Sequence, residues 1–171
     1  MAEYTGGLRH KLIRESFAAM IRESLTELGW FSSTLQAKPV VLLTEQYDAS
    51  SEIKPNAIGI SNEGMMAEEW EMGSTLEETR WQTYLDIFAE DESIGVHLSG
   101  DLYDIIRGKI AGRVNSDFRV YDYSKPENLF LFYCQLENVE IARVREWNQP
   151  FNRYWWVIGC EIVDYYSGER A

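Results

Sequence analysis

The sequence predicts a single α+β domain in which a mixed, mainly antiparallel sheet packs with two principal helices. Apolar residues recur at spacings of three and four between Leu8 and Leu28, as they do on one face of an amphipathic helix. Within the strand predicted at 77–88, Trp81, Thr83, Leu85 and Ile87 fall on one face and Arg80, Gln82, Tyr84 and Asp86 on the other, which is the period of a strand. The chain then closes with two long strand-like segments, 138–147 and 153–166, separated by a short turn that contains proline.

The length of 171 residues suits one domain spanning residues 1–171, with residues 1–7 as a flexible N-terminal tail. A domain of this size buries roughly 70% of the surface of its unfolded chain, so its core needs no disulfide or metal. No apolar segment approaches the roughly 20 residues that cross a bilayer. The N-terminus also lacks the basic and apolar segments of a secretory signal. We therefore expect no membrane association.

The first half of the chain predicts a helix followed by strands. The helix covers residues 8–28 and is followed by glycine, which commonly ends helices. Residues 39–44 are a short apolar strand, and residues 57–63 alternate as a second strand after a polar loop. Residues 68–88 are expected to form a hairpin that turns at Gly73.

The second half predicts another helix and the remaining strands. Residues 99–111 form the helix, because acidic residues open the segment and basic residues close it, as the helix dipole favours. Residues 112–128 are predicted to be a long polar loop, followed by a strand at 129–133. The last segment, 153–166, is apolar or aromatic at nearly every position, which is typical of a strand covered on both faces. We expect it at the centre of the sheet.

The formal net charge is −12, with 28 acidic and 16 basic residues. Such a charge opposes binding to nucleic acid or to an anionic membrane, since both attract basic surfaces. It is explained by solubility alone, or by an acidic wall past which a polyanion slides without binding. Composition does not choose between the two.

The cysteines and histidines give little sign of a catalytic or metal site. Cys134 and Cys160 lack the spacing of a zinc site and are interpreted as small buried apolar residues of a protein made in a reducing cytosol. His10 falls on the polar side of the first helix and is expected to be solvated. His97 and Asp101 could form a metal or acid/base site with nearby acids. The favoured interpretation is a histidine before a helix whose acids act as caps. No enzymatic activity, cofactor or metal is expected.

The aromatic and arginine residues point to packing and protein contact. Trp81, Trp155 and Trp156 lie in strands and are expected in the core, and Trp30 is expected to pack where the first helix ends. The candidate interface residues are Arg143, Arg145, Trp147, Trp70 and Arg119. Arginine and large aromatic residues are enriched where proteins meet.

In layout, the chain resembles the tail terminator (tail completion) proteins of long-tailed bacteriophages. The shared layout is the leading helix 8–28, the strands at 39–44, 57–63 and 77–88, the second helix and the closing pair of strands. Length, acidity and the lack of a catalytic signature are also similar. The loop 112–128 and the hairpin near residues 68–73 would be elaborations.

The resemblance implies a ring of identical subunits, generally a hexamer. Such a ring would cap the head-proximal end of the tail tube, stop tube polymerisation and contact the neck or head connector protein. DNA would pass through the opening without specific binding, and the protein would be assembled in the host cytoplasm into the virion. Two other functions stay open: a small-molecule-binding protein or enzyme on a conical α+β scaffold, with His97 and Asp101 in its pocket, and another neck component such as a head-closure protein.

Overall fold

The structure, a computed structural model, describes residues 6–30, 41–43, 56–69, 76–109, 117–144 and 154–167. Within these residues it contains two α-helices and six strands. The helices are α1 (Gly6–Glu27) and α2 (Glu92–Ile106). The strands are β1 (Val41–Leu43), β2 (Ala57–Glu69), β3 (Leu76–Ala89), β4 (Asp117–Asp122), β5 (Leu129–Arg143) and β6 (Tyr154–Ser167).

The six strands form one sheet in the order β1-β2-β3-β6-β5-β4. β1 and β2 are parallel, whereas every other neighbouring pair is antiparallel. The predicted mixed, mainly antiparallel α+β fold is therefore confirmed. β6 lies between β3 and β5, where Ile158 pairs with Leu85 on one side and with Ile141 on the other. The expected central place of the last strand is also confirmed.

Both helices pack on the same face of the sheet and share one hydrophobic core with it. The core is built from alternate residues of the strands and from the apolar stripes of the helices, among them Phe17, Ile21, Leu85, Leu102, Trp156 and Ile158. The opposite face was also expected to be covered. In the described part of the chain no helix lies on it; Tyr84, Asp86 and Trp155 are half-buried there, whereas Phe88 and Val163 are fully buried. We call it the open face.

α1 ends where the sequence predicts. Gly29 has a φ of 86°, which glycine adopts without strain, and its N–H donates to the carbonyl of Thr26. The N–H of Trp30 donates to the carbonyl of Leu25, which completes a Schellman motif. Trp30 is buried, as expected. Gly6 and Gly7 belong to the helix, so only residues 1–5 of the predicted tail remain outside the described residues.

α2 begins seven residues earlier than predicted, at Glu92 and not at Ser99. Asp91 is its N-cap, because its side chain accepts a hydrogen bond of 2.8 Å from the N–H of Ile94. The sequence misleads because Gly95 lowers helix propensity. Glycine fits at this position because the Trp156 ring occupies the space that a side chain would need. The helix ends at Ile106 and not at residue 111.

The polar loop predicted at residues 112–128 is wrong over part of its length, because Asp117–Asp122 forms strand β4. Phe118 and Val120 point into the core and Arg119 points outward, so the strand alternates as expected of a sheet with one open face. Asp122 is buried and accepts hydrogen bonds from the backbone and side chain of Ser124, which begins the turn into β5.

The strand predicted at 129–133 and the first part of the strand predicted at 138–147 form a single strand, β5, and residues 145–147 lie outside the described residues. The register of β5 with β6 shifts between Glu137 and Glu140, and Asn138 has a φ of 51°. This bulge bends the strand without ending it. Two other predictions, the turn at Gly73 and the polar loop before residue 57, lie outside the described residues. In the described part of the chain, no helix is both long and apolar enough to cross a membrane.

Candidate interaction surface

The structure places two of the five candidate interface residues. Arg119 lies on β4 and Arg143 lies at the end of β5, whereas Trp70, Arg145 and Trp147 are outside the described residues. Arg119 pairs with Tyr133, ten residues before Arg143 on β5. A rise of about 3.3 Å per residue separates the two arginines by roughly 30 Å. They therefore do not belong to one contact.

Arg119 is part of an exposed cluster of aromatic residues on the open face of β4 and β5. We call Arg119, Tyr121, Phe130 and Tyr133 the aromatic–arginine surface. Phe130 is 43% exposed and Tyr133 is 53% exposed. The Phe130 ring meets the Tyr121 ring edge to face at 6.0 Å and the Tyr133 ring at 5.0 Å. A β-bulge between Val120 and Tyr121 brings these side chains onto one face.

Arg119 gives the aromatic–arginine surface its positive charge. Its guanidinium lies 5.9 Å from the centre of the Phe130 ring and 5.8 Å from that of the Tyr133 ring. Hydrogen bonding to Tyr121 raises the pKa of Arg119, with a further contribution from Tyr133. The side chain therefore presents a permanent positive charge held against aromatic rings, which is a favourable cation–π arrangement.

The aromatic–arginine surface adjoins an edge of the sheet. Among the described residues β4 pairs with β5 only, so its outer backbone groups face away from the sheet. An edge of this kind can pair with a strand of another chain. Leu129 extends the apolar area at the same end of the strands and is exposed. Tyrosine, phenylalanine and arginine beside an edge strand can bind a protein partner.

The open face becomes acidic further along β5 and β6. Arg80 makes hydrogen bonds of 2.7 Å with Glu137 and 2.9 Å with Glu161, and it also pairs with Glu78. These bonds raise the pKa of Arg80 above its usual range, those to Glu137 and Glu161 contributing most. Asn138, at the bulge, donates to Glu161 at 2.9 Å. Three carboxylates around one guanidinium form an acidic cluster. The sequence did not indicate this cluster, because its members come from three different strands.

Arg143 contacts an acidic residue of α2 and two aromatic residues of β6. Its guanidinium donates to Glu92 at 2.7 Å and lies 5.5 Å from the Tyr154 ring and 5.4 Å from the Trp156 ring. It therefore joins the end of β5 to the first turn of α2. Of the two described candidates, Arg119 is the one that lies in an exposed aromatic cluster.

His97 and Asp101 lie at the surface of α2. His97 is one turn before Asp101 on α2, its Nε2 is 3.4 Å from the carboxylate, and its side chain is 62% exposed. Asp101 accepts a hydrogen bond of 2.7 Å from the indole of Trp30, whose ring also meets the His97 ring at 4.9 Å. These contacts fasten the end of α1 to α2. Asp91 is a cap as expected, but His97 lies inside the helix and not before it.

The other residues considered from the sequence are the two cysteines, the three strand tryptophans and His10. Cys134 and Cys160 are free and buried, as predicted, and burial raises the pKa of the Cys160 thiol to about 12. Trp81 and Trp156 are core residues, whereas Trp155 is half-buried on the open face. The prediction that His10 is solvated is wrong, because its ring stacks on Trp81 with 4.8 Å between the ring centres.

The described residues contain no group of three or more histidine, cysteine or acidic side chains placed to hold a metal ion. Compared with known proteins, the chain matches no family model and no curated protein. Its function is therefore inferred from the chemistry of its own surfaces.

Proposed function

We propose that this protein is a structural subunit of a ring that caps the head-proximal end of a long bacteriophage tail. The observation that carries the proposal is the aromatic–arginine surface at the β4 edge. This surface groups exposed tyrosine, phenylalanine and arginine side chains, which are the residue types enriched in the cores of protein interfaces. The likeness of the predicted layout to tail terminator proteins supplies the kind of assembly.

The open face suits contact between identical subunits because it is polarised. Its aromatic and basic part, around Tyr133, lies four residues from its acidic part, at Glu137, or roughly 13 Å along β5. The positive part of one subunit could then meet the negative part of the next. Such a head-to-tail contact, repeated with a fixed rotation, closes into a ring.

The partners of the ring are the tail tube protein and the neck or head connector protein. In this role the subunit terminates a repeating assembly by surface complementarity and performs no chemistry. The net charge of −12 favours an opening through which DNA passes without binding. The protein would assemble in the host cytoplasm and remain in the virion as part of the tail.

A pair of matched variants tests whether the aromatic–arginine surface makes the contact. Arg119 stacks near Tyr133 on the open face, and Arg107 stacks 4.8 Å from Tyr103 on α2. We expect Arg119→Gln to raise the protein concentration needed for half-maximal tube capping by about tenfold or more, as loss of an arginine hot spot does. Arg107→Gln removes the same charge elsewhere and should leave capping unchanged.

Capping is measured as the length distribution of tail tubes polymerised in the presence of each variant. Equal capping by Arg119→Gln and the unchanged protein would contradict this assignment of the surface. A ring found directly on the portal, and not against the tube, would instead favour another neck component such as a head-closure protein.

A small-molecule-binding function is the second candidate, although not at the residues first considered. His97 is 62% exposed, Asp101 accepts a hydrogen bond from Trp30, and Trp156 is packed in the core. A cleft does exist along α1.

A further inference from the structure

A cleft lies along α1, bordered by β2 and by the turn that follows β4. Its volume is about 940 Å³, within the range of pockets that hold small ligands. The described residues around it include Phe17, Ala18 and Ile60, which are apolar, and His10, Arg14 and Asn62, which are polar. None of them belongs to the aromatic–arginine surface.

Two residues that line this cleft have a buried nitrogen without a hydrogen-bond partner among the described residues, Nε2 of His10 and Nδ2 of Asn62. A third such nitrogen, Nε1 of Trp81, belongs to the ring on which His10 stacks. The His10 and Trp81 rings stack nearly parallel, with an angle of 11° between their planes. Asn62 pairs with Thr83, two residues from Trp81 on the same face of β3, so it is a diagonal neighbour of the tryptophan.

The chemistry of these groups specifies what would satisfy them. An asparagine amide nitrogen and an indole nitrogen are donors only, and a neutral histidine protonated on Nε2 also donates there. Each buried donor without an acceptor costs about 1–3 kcal/mol. A ligand for this site must therefore bring acceptor oxygens.

The charges around the cleft favour an anion. Lys11, Arg14 and Arg22 lie around it with Glu15 and Glu23, which leaves one positive charge in excess. Lys11 and Glu15 partly offset each other, since they are 3.6 Å apart. Burial, and to a lesser extent Arg14, lowers the pKa of His10, so the ring is neutral near neutral pH and adds no charge of its own.

We propose that this cleft binds a small organic carboxylate. Its oxygens accept hydrogen bonds from Asn62 and His10, beside the Trp81 indole, and its apolar body contacts Phe17, Ala18 and Ile60. The site uses residues distinct from the assembly surface, so this proposal and the proposed ring function can succeed or fail separately.

Benzoate is a suitable probe, and neutral benzamide is its matched control. The chain itself provides internal references, because the indoles of Trp30 and Trp155 already donate to Asp101 and Asp86. In nitrogen-15 spectra of the full chain, we expect benzoate to shift the indole N–H signal of Trp81 in a saturable manner, with a dissociation constant of about 1 mM or lower. The Trp30 and Trp155 signals should stay in place, and benzamide should shift none of them.

The variant Asn62→Asp tests the polar end of the site. It keeps the side-chain size but replaces the amide donor with a carboxylate, so benzoate binding should weaken at least about tenfold. Unchanged Trp30 and Trp155 signals show that the variant is folded. A Trp81 signal that does not respond to benzoate, as a site filled only by water would give, overturns the proposal. So does an equal response to benzamide.

Discussion

Arg9 and Asp164 join α1 to β6 through two hydrogen bonds of 2.6 Å. Asp164 is 2% exposed, and the Arg9 guanidinium also lies 3.6 Å from the centre of the Phe132 ring. A carboxylate this deeply buried depends on its partner, because removing the partner leaves an uncompensated charge in the interior. This residue pair therefore holds the first helix on the sheet.

We expect Arg9→Leu to lower the free energy of unfolding by about 3 kcal/mol, since it leaves Asp164 without its guanidinium. The control is Lys11→Gln, which breaks the exposed pair with Glu15 and should cost less than about 0.5 kcal/mol. Urea denaturation measures both values. Equal and small losses in the two variants would show that the buried pair does not stabilise the fold.

We expect His10 to make the stability of the protein depend on pH. Burial, with a smaller contribution from Arg14, lowers its pKa in the folded state below the ordinary value of 6.5. The unfolded chain therefore binds a proton first, so stability is highest above about pH 6.5 and falls as pH is lowered towards the pKa of the folded state. His10→Phe keeps the stack on Trp81 and should remove this contribution.

The measurement is the difference in unfolding free energy between His10→Phe and the unchanged protein, followed from about pH 7.5 to about pH 5. We expect the difference to change in favour of the variant as pH falls. His97→Gln removes the chain's other histidine and serves as the control. Parallel curves for His10→Phe and the unchanged protein would rule out the effect.

Residue-scale prediction from sequence succeeded where composition alone decides burial. The two cysteines and Trp30 are examples, because each sits among apolar neighbours in the chain. It failed for His10, which follows Arg9 and precedes Lys11 and so sorts with the polar side of the helix. Its stacking partner, Trp81, is 71 residues away, and only the folded sheet brings the two rings together.

At the scale of elements, α2 contains two glycines with opposite roles. A side chain at Gly95 would overlap the Trp156 ring, whereas one at Gly100 would meet no atom within 4 Å. Gly95→Ala should therefore lower stability by about 1–3 kcal/mol through overpacking. Gly100→Ala should raise it by about 0.5–1 kcal/mol, because alanine favours the helix.

The two glycine variants are compared by thermal and urea unfolding. The same substitution in the same helix should give effects of opposite sign. If Gly95→Ala were neutral or stabilising, the close approach of α2 to β6 at Trp156 would be wrong.

The elements that sequence patterns missed share a physical cause. β4 was predicted as loop because Asp117, Arg119 and Asp122 are polar. Asp117 and Arg119 lie on the open face, where an edge strand tolerates polar residues, and the buried Asp122 accepts hydrogen bonds from Ser124. β5 was divided in two because the polar residues near Asn138 interrupt its apolar run. They occupy a bulge and the acidic cluster, where partners come from neighbouring strands.

At the scale of the whole molecule, the position of β6 inside the sheet could be predicted from its apolar composition alone. The apolar character of residues 153–166 predicted an internal strand, and pairing with β3 and β5 confirms it. On the second face Phe88 and Val163 are fully buried, as expected of a covered face, whereas Trp155 and Val157 are half-buried. Large aromatic residues can border an open face when a neighbour takes their polar atoms, as Asp86 does for the Trp155 indole.

The candidate site was less predictable than the fold. Arg119 was selected as an interface residue, but its aromatic neighbours come from two strands and meet only through the register of β4 and β5. The cleft along α1 could not be predicted either, since its donors come from a helix and two strands. When the residues of a site come from different helices and strands, they form no recognisable motif of fixed spacing in the sequence.

The ring proposal is tested most directly by electron microscopy of the purified protein with tail tubes. It predicts rings of identical subunits, generally hexamers, seated at one end of each tube. Because some terminators assemble only on the tube, the protein alone should also be weighed by native mass spectrometry at micromolar concentration. Bare tube ends, together with a protein that stays monomeric, would contradict the account.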